Sequence, residues 1–401
     1  MDYGATTPVA SEVEKAMRPY FSRQFGNPSS LHWLGQEASA AVFKGRRAIT
    51  QAVGIDYRNV IFTGSATEAN NLALRGVVGN CAAPIGKNQK RSPPKIIISA
   101  IEHESVLETA RDLGKSFGVE LVYLPVSRGG LVDLGKLGSA LDERTILVSL
   151  QYANSEIGTI QPVRAAAEII RNFRQGKTRD KGPEKLYPLF HCDAVQAFQF
   201  FSCRLAELGV DLLTLSAHKI YGPKGIGALC LNDELIANGY KLPAIITGGG
   251  QEWGRRSGTE NVPAIAGFSK AVELAEKFKI LNSMKNVNSL KELRDYFWRE
   301  LKKIVPAVQL NGSLENRLPN NLNIYFPGRP AQDFSVELDL LGLAVSPGTA
   351  CSARSAQASS VIKALGYDDD RPYSSLRFSL GRSTNKSELQ AALAILKKRL
   401  T

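Results

Sequence analysis

The stretch LSAHKIYGPKGIGAL, residues 215–229, places a hydroxyl, an imidazole and an amine together where an apolar run ends. A glycine-rich turn follows, and then a second apolar run begins. Short apolar runs bounded by turn residues predict buried β-strands. Lys219 would then lie at the end of a strand. It is either a nucleophilic amine whose pKa is lowered by desolvation or a lysine that extends to solvent.

The alternation of short apolar runs and amphipathic stretches continues over residues 58–231. The runs NVIFTG, KIIISA and TILVSLQ are each followed by a helical pattern, as in SATEANNLALRGVVG. Strands that are apolar throughout and separated by helices predict an α/β fold with a mostly parallel sheet covered on both faces. From residue 262 onward, long helical stretches and a few strands, including one over LAVSPG, predict a second and smaller α+β domain.

Length and composition agree with a two-domain globular enzyme or binding protein. A chain of 401 residues exceeds what one core usually holds, so two domains are expected. Hydrophobic residues make up 43% and charged residues 22%, which is the balance of a folded soluble domain. No apolar run approaches the ~18 residues that a membrane helix needs. The N-terminus lacks the basic-then-apolar pattern of a secretion signal, so a cytoplasmic location is predicted.

Cysteines and charge narrow the function classes further. The five cysteines are odd in number and form no CxxC pair, so neither a disulfide framework nor a zinc site is expected. The formal net charge is +12, and segments 86–95 and 174–185 contribute excesses of 4 and 3 positive charges. Both segments have the composition of exposed loops. The alternative is an electrostatic docking surface for an acidic protein or a tRNA.

Polar residues follow the predicted strands, and ligands of α/β sheets bind at those strand ends. None of these residues forms a carboxylate cluster or a close histidine pair of the kind that holds a metal. The polar positions and their neighbours are Ser65, Ala66, Thr67, His103, Asn154, Asp193, Gln196, Ser216, His218 and Lys219.

Three of these strand ends have complementary chemistry. The turn before SATEANN is either an ordinary helix cap or an anion site at a helix N-terminus. Asp193 follows a buried strand, where it either caps a helix or pairs with a cationic group. Lys219 offers an amine for Schiff-base chemistry. A phosphate, a protonated pyridine nitrogen and an aldehyde are the three ends of pyridoxal 5′-phosphate, which is therefore the predicted cofactor.

Ten motifs extend this pattern over nearly the whole chain. With them the sequence resembles the cysteine desulfurases of the NifS/IscS type, within the class V aminotransferases of PLP fold type I. The motifs are DYGATTP (2–8), FGNPSSLH (25–32), FTGSATEANN (62–71), EHESV (102–106), NSEIG (154–158), HCDAVQ (191–196), SAHKIYGPKGIG (216–227), RRSGTEN (255–261), AVSPGTACS (344–352) and SSLRFSLGR (374–382).

The resemblance implies a large PLP-binding α/β domain over residues 10–279, with a mostly parallel sheet of the seven-stranded type. Residues 1–9 and 280–401 would form a small α+β domain that bears the loop with the catalytic cysteine. The resemblance also implies a homodimer in which Thr259 reaches the phosphate of the neighbouring subunit's cofactor.

Roles for single residues also follow from the resemblance. Lys219 would hold the cofactor as a Schiff base and act as the catalytic base, and His103 would stack on the ring. Asp193 would keep the pyridine nitrogen protonated, Gln196 would bond the ring's phenolic oxygen, and Asn154 would lie near that oxygen and the substrate. The phosphate would be held by Ala66, Thr67, Ser216 and His218, and the substrate carboxylate by Arg377 with help from Asn27.

Cys351 matches the catalytic cysteine of this family. It lies in SPGTACSARSAQASS, a small and polar stretch that is typical of a mobile loop, and Arg354 could favour its thiolate. The implied reaction converts L-cysteine to L-alanine and leaves a persulfide on Cys351. An iron–sulfur scaffold protein is the first expected acceptor, and tRNA thiolation is another. No metal site of its own is predicted, although Cys351 could briefly ligate a cluster held by a scaffold.

Two other functions are compatible with parts of the sequence. A selenocysteine lyase or another class V aminotransferase would share the fold and the cofactor, but an aminotransferase needs no loop cysteine. A non-catalytic sulfur-trafficking or tRNA-binding protein would account for the net charge of +12. The presence of all the expected catalytic residue types argues against that last alternative.

Overall fold

The computed structural model describes residues 1–81, 92–176, 186–283, 290–348 and 358–400. Most of the two basic segments and the predicted catalytic Cys351 lie outside these described residues. The predictions made for them therefore stay predictions.

Ten strands and fourteen α-helices occur in the described ranges. The strands are β1 (Val60–Thr63), β2 (Lys95–Ser99), β3 (Glu120–Leu124), β4 (Thr145–Gln151), β5 (Leu189–Asp193), β6 (Leu212–Ser216), β7 (Gly227–Leu231), β8 (Gln309–Leu310), β9 (Asn321–Tyr325) and β10 (Ser375–Ser379). The helices are α1 (Ser11–Met17), α2 (Pro19–Ser22), α3 (Trp33–Val53), α4 (Ala66–Cys81), α5 (Glu104–Phe117), α6 (Leu134–Ala140), α7 (Val163–Gln175), α8 (Leu205–Leu208), α9 (Asp233–Ala237), α10 (Val262–Ser283), α11 (Leu290–Ile304), α12 (Ala331–Asp339), α13 (Ser360–Ala364) and α14 (Lys386–Leu400).

The larger sheet has seven strands in the order β1-β7-β6-β5-β4-β2-β3. Strands β3, β2, β4, β5 and β6 are parallel, whereas β7 is antiparallel to both β6 and β1. The antiparallel step follows from the short link between β6 and β7, since a parallel return needs a crossover of a dozen or more residues. The predicted α/β class with a mostly parallel seven-stranded sheet is confirmed.

Helices cover both faces of this sheet. One core packs α3 and α10 against the strands through residues such as Ile49 and Phe268, and the other packs α4 and α5 through residues such as Leu72 and Val106. All residues of β4 and β5 are consequently buried. Such strands are apolar throughout rather than alternating, which is why the sequence pattern identified them.

The second sheet is antiparallel, with the order β10-β9-β8, and packs against α11 and α14. The prediction of a strand over LAVSPG is wrong for its described residues, because they contain only one bridge, between Ser346 and Arg377. Pro347 cannot donate a ladder hydrogen bond, and Gly348, with φ +74°, departs from strand geometry. The two-sheet organisation is confirmed, and the predicted domain boundaries stay a prediction.

The first ten residues connect the two sheets. Asp2 pairs with Ser379 of β10, whereas the backbone N–H of Thr7 donates to the carbonyl of His218 at 3.0 Å. This N-terminal segment therefore passes directly over the end of β6. In the described part of the chain, no helix combines the length and apolar character needed to cross a bilayer.

Candidate active site

A cavity opens at the carboxyl ends of β4, β5 and β6, beside the first turns of α4 and α5. This is the edge at which an α/β sheet exposes its loops and helix N-termini. The predicted residues that line it are Ala66, Thr67, His103, Asp193, Gln196, His218, Lys219 and Arg377. Residues from both sheets therefore face one cavity.

Lys219 lies in the single turn of 3₁₀-helix that follows β6. Its Nζ donates hydrogen bonds to the carbonyls of Gly4 and Ala5, both at 2.7 Å. Gln196 Nε2 also donates to the carbonyl of Gly4, at 3.1 Å. The N-terminal segment thus holds the amine at the cavity wall instead of letting it extend to solvent.

Asp193 is the last residue of β5 and is buried. Its Oδ1 accepts from the backbone N–H of Val195 at 3.0 Å, and its Oδ2 accepts from Asn70 Nδ2 at 2.9 Å. These contacts fix the carboxyl group at the cavity floor. A cationic ligand nitrogen would complete the coordination of this buried acceptor.

His103 caps the N-terminus of α5 and lines the same cavity. Its Nδ1 accepts from the backbone N–H of Ser105 at 3.1 Å, so the neutral ring bears its proton on Nε2. Asn70 Nδ2 donates to Ser105 Oγ at 2.8 Å and also to Asp193. The Asn70 amide therefore connects Asp193 with His103 through Ser105.

Asn70 and Ser105 were not predicted as site residues. Both are buried polar residues that face inward from helices otherwise packed on apolar side chains. An asparagine among the apolar positions of α4 breaks the helical pattern, and that break is the signal the sequence offered. The sequence pattern could not have identified Ser105 and Asp193 as the two partners of the Asn70 amide.

The first turn of α4 is suited to an anion. The helix begins at Ala66, and Ser65 Oγ accepts from the N–H of Glu68 at 3.1 Å. The earlier amides of the turn have no intrahelical acceptor, and the helix dipole favours an anion there. The Glu68 carboxylate is neutralised by Arg256, whose Nε lies 2.8 Å from it.

His218 faces the same end of the cavity, and its Nδ1 lies 3.1 Å from Thr6 Oγ1. Burial lowers the pKa of His218 to about 4, and the positive charges of Lys219 and Lys224 lower it in the same direction. The imidazole is therefore neutral near pH 7. It can serve a ligand as a hydrogen-bond donor without adding charge.

Arg377 extends from β10 of the smaller sheet into the cavity. One Nη donates to Asp2 Oδ1 at 2.8 Å and the other to the carbonyl of Ser155 at 3.0 Å. The buried Nε has no hydrogen-bond partner among the residues that the structure describes. A planar guanidinium with an unused buried donor is suited to a ligand carboxylate.

Four predicted residues are not part of the described cavity lining. Asn154 Oδ1 accepts from the N–H groups of Glu156 and Ile157, and its Nδ2 donates to the carbonyl of Ile101, so its amide shapes a turn. Ser216 is buried at the end of β6. Asn27 Oδ1 accepts from the N–H of Ser29, and Thr259 is exposed to solvent.

These residues fit pyridoxal 5′-phosphate. The amides of α4 and neutral His218 suit its phosphate, buried Asp193 suits a protonated ring nitrogen, and the Lys219 amine suits its aldehyde. Among the described residues, no group of three acidic, histidine or cysteine side chains could hold a metal ion.

Comparison with known proteins adds an independent observation. The sequence model of the family described as "Aminotransferase class-V" matches residues 1–392. The chain belongs to the class V aminotransferase family. Members of this family use pyridoxal phosphate, which agrees with the chemistry of the cavity. The predicted family resemblance and the predicted cofactor are confirmed.

Several relatives and solved structures are similar over almost the whole chain. "Cysteine desulfurase IscS" of Dictyoglomus turgidum is 42% identical, covering 99% of this chain and 93% of its own length. "Cysteine desulfurase IscS 1" of Archaeoglobus fulgidus is 38% identical, with 98% of this chain and 95% of the relative covered. A solved structure named "NifS-like protein" has a TM-score of 0.86 and 31% identity, covering 100% of this chain and 98% of that one.

Proposed function

We propose that this chain is a pyridoxal-phosphate-dependent cysteine desulfurase, which converts L-cysteine to L-alanine and leaves a persulfide on Cys351. The observation that supports this most directly is that one cavity brings together the Lys219 amine, the Asp193 carboxyl and the Arg377 guanidinium. Relatives named cysteine desulfurases are similar over 98–99% of this chain, which supports the same function.

The cavity residues have complementary roles toward the cofactor. Lys219 would bind its aldehyde, Asp193 would hold its ring nitrogen in the protonated form, and Gln196 would bond its phenolic oxygen. His103 would contact the ring, and Asn154 would lie near the phenolic oxygen and the substrate. The phosphate would be held by Ala66, Thr67, Ser216 and His218. When bound, the cofactor supplies an electron sink for the Cα of the substrate.

The remaining residues act on the substrate. Arg377 binds the cysteine carboxylate through its guanidinium, and Asn27 assists from the segment before α3. The Lys219 amine would remove the proton from Cα as a general base. The low pKa of neighbouring His218 leaves that imidazole uncharged, so it adds no further positive charge beside the amine.

Sulfur leaves the substrate by transfer to Cys351, which lies outside the described residues. The thiolate of Cys351 attacks the substrate sulfur, an S–S bond forms, and the Cβ–S bond breaks. The electron pair of the broken bond stays with the carbon fragment, which takes up protons and leaves as alanine. The sum of the reaction is redox-neutral: cysteine and a thiol give alanine and a persulfide.

The proposed assembly is a homodimer in which Thr259 serves the neighbouring subunit's phosphate. Large apolar side chains are exposed before and along α3, among them Phe25, Leu31 and Trp33. Exposed Phe43 and Trp253 both lie close to the ring of Tyr57, with centroids 5.6 and 6.1 Å from it. An apolar surface of this extent supports a protein–protein interface.

The persulfide then passes to an acceptor. We propose a cytoplasmic enzyme that donates sulfur to an iron–sulfur scaffold protein, with a tRNA-thiolation partner as the second candidate. Lys95 is buried beside Asp142 and Arg174 pairs with Asp211, so neither is free for a partner. The other basic residues of segments 86–95 and 174–185 would favour an acidic acceptor or a tRNA.

The purified holoenzyme tests the proposed reaction. With L-cysteine and a reducing thiol, it should release alanine and sulfide in equal amounts, and Cys351→Ala should abolish sulfide release. Borohydride reduction followed by peptide mapping should place the cofactor on Lys219. Sulfide release at the parent rate from Cys351→Ala, or keto-acid-dependent amino transfer without sulfide, would contradict the proposal.

A further inference from the structure

Glu156 is a buried carboxyl group for which the reaction described above gives no role. It lies in the turn between β4 and α7, within the NSEIG motif, and is 1% exposed. Burial raises the pKa of the Glu156 carboxyl, although the Ser359 hydroxyl and the Arg377 guanidinium lower it. A buried carboxyl is costly without partners, so its surroundings indicate what it does.

The backbone of Glu156 joins the cavity wall to the smaller sheet. Its N–H donates to Asn154 Oδ1 at 2.8 Å, and its carbonyl accepts from Asn321 Nδ2 of β9 at 3.1 Å. The carbonyl of the preceding Ser155 accepts from Arg377 at 3.0 Å. The turn that bears Glu156 thus holds the guanidinium proposed to bind the substrate carboxylate.

The side chain of Glu156 extends toward residues on both sides of segment 349–357. Its Oε2 accepts from Ser359 Oγ at 2.7 Å, and Ser359 in turn caps α13 by accepting from Ile362 N–H at 3.0 Å. On the other side, a Cβ placed on Gly348 would lie 3.3 Å from the same Oε2. Gly348 has φ +74°, a left-handed conformation that favours glycine, and a glycine also leaves room for the nearby carboxyl oxygen.

Gly348 directly precedes segment 349–357, which contains Cys351, and Ser359 lies two residues after it. One carboxyl oxygen of Glu156 bonds Ser359 and lies where a Cβ on Gly348 would meet it, while the turn of Glu156 holds Arg377. The placement of Arg377 and the anchoring of Ser359 therefore depend on the same residue. Misplacing reacting atoms by about 1 Å can cost about a hundredfold in rate, so such a connection is consequential.

We propose that Glu156 is a positioning residue for sulfur transfer, which anchors Ser359, two residues after the Cys351 segment, relative to the substrate held by Arg377. This inference rests on the proposed desulfurase function. It assigns Glu156 no contact with the substrate or cofactor. The carboxyl acts through its hydrogen bond with Ser359.

The test separates cysteine binding from sulfur transfer in the holoenzyme. Cysteine binding is followed by the cofactor's absorbance change in a Cys351→Ser background, and sulfur transfer by the single-turnover rate of persulfide formation with Cys351 intact. The variants are Glu156→Ala, Glu156→Gln and Ser359→Ala. Asp133→Ala is the matched control, because Asp133 also caps a short helix, α6, that lies outside the described cavity lining.

Glu156→Ala and Ser359→Ala should slow persulfide formation by about tenfold or more, while the dissociation constant for cysteine changes by less than about threefold. Glu156→Gln should retain more of the rate, because its amide can still bond Ser359 Oγ. Asp133→Ala should transfer sulfur at the parent rate. If Glu156→Ala does not fold, Ser359→Ala tests the same hydrogen bond by removing its donor.

Two results would overturn the inference. In the first, the Glu156 and Ser359 variants form persulfide at the parent rate. In the second, cysteine binding and sulfur transfer fall in parallel with cofactor content, which would make the carboxyl purely structural. A parent enzyme that forms no alanine from cysteine would instead overturn the proposed function, and this inference with it.

Discussion

Asn70 shows how one buried side chain organises the candidate active site. Its amide nitrogen donates to Asp193 at 2.9 Å and to Ser105 at 2.8 Å, and Ser105 contacts His103. The side chain is fully buried, so water cannot replace either bond. Only an amide combines two donor hydrogens with no charge at this position.

Replacing Asn70 by aspartate should therefore be far more damaging than its similar size suggests. The variant loses both donor hydrogens and places a second carboxyl beside Asp193, so that one of the two carboxyls must take up a proton. We expect kcat/KM for cysteine to fall about a hundredfold or more, which corresponds to about 3 kcal/mol, and the cofactor to bind less tightly.

The control for Asn70→Asp is Asn385→Asp, the same change at the start of α14. Exposed Asn385 Oδ1 accepts from the N–H of Glu388 at 3.1 Å, an acceptor role that aspartate can fill, and Asn385 is not part of the described cavity lining. Cofactor titration and steady-state kinetics should leave Asn385→Asp close to the parent. Equal losses in the two variants would mean that the bond between Asn70 and Asp193 has no special importance.

At the scale of chain segments, the short stretch before α1 stabilises the turn that bears Lys219. Thr7 Oγ1 donates to the carbonyl of His218 at 3.0 Å and accepts from the N–H of Tyr221 at 2.8 Å. Tyr221 has φ +69°, a conformation that a tyrosine rarely adopts. The threonine hydroxyl thus secures the backbone on both sides of Lys219 and Ile220.

Thr7→Val should destabilise this turn while keeping the side-chain volume nearly unchanged. It leaves the buried N–H of Tyr221 without its acceptor, while the carbonyl of His218 keeps only the bond from the backbone N–H of Thr7. The expected loss is about 1–3 kcal/mol in the free energy of unfolding. Thr7→Ser keeps the hydroxyl and should recover most of that loss. Denaturant unfolding of the two holoenzyme variants measures the difference, and equal stabilities would contradict the assigned hydrogen bonds.

The sequence predicted most of these elements because the strands of the larger sheet are apolar throughout and end at polar residues. It also predicted that Asp193 and Lys219 would meet, since both follow strands of the same sheet. It did not predict the support from Asn70 or Thr7, because a hydrogen bond across 123 or 211 residues leaves no local pattern. The prediction of a strand over LAVSPG was wrong for a related reason. Its apolar residues pack as a loop because only Ser346 pairs with β10.

For the whole molecule, the exposed apolar surface beside α3 leads to a prediction about assembly. Leu31 is 92% exposed and lies next to Trp33, which is 65% exposed. Leu31→Asp should therefore weaken the proposed dimer and lower activity, because each site would lose Thr259 from its neighbour. Sedimentation velocity at micromolar concentration measures the shift toward monomer.

The matched control for the dimer prediction is Leu340→Asp. Leu340 is 82% exposed at the end of α12, on the smaller of the two domains predicted from the sequence. The Leu340→Asp variant should have the same sedimentation coefficient as the parent. A parent chain that sediments as a monomer, or a Leu31→Asp variant that remains dimeric, would contradict the proposed interface.

His191 leads to a prediction about how the stability of the fold depends on pH. It is buried within the larger sheet, where Ser149 Oγ lies 2.8 Å from Nδ1 and Thr214 Oγ1 lies 3.0 Å from Nε2. Burial lowers the pKa of His191 to about 4, with Asp193 opposing the shift. The unfolded chain binds a proton near pH 6.5, whereas the folded chain does so only near pH 4.

The stability that neutral His191 provides is therefore fully present above pH 6.5 and is lost as the pH falls toward 4. His191→Asn removes this titration, so its cost in unfolding free energy should be about 2–3 kcal/mol smaller at pH 4.5 than at pH 7.5. Taking the difference between parent and variant cancels the titration of every other group, including the buried carboxyls of Glu102 and Glu156, whose raised pKa values act in the opposite direction. Denaturant unfolding at the two pH values gives that difference directly. A cost that does not change with pH would show that the imidazole binds its proton equally well in the folded and the unfolded chain.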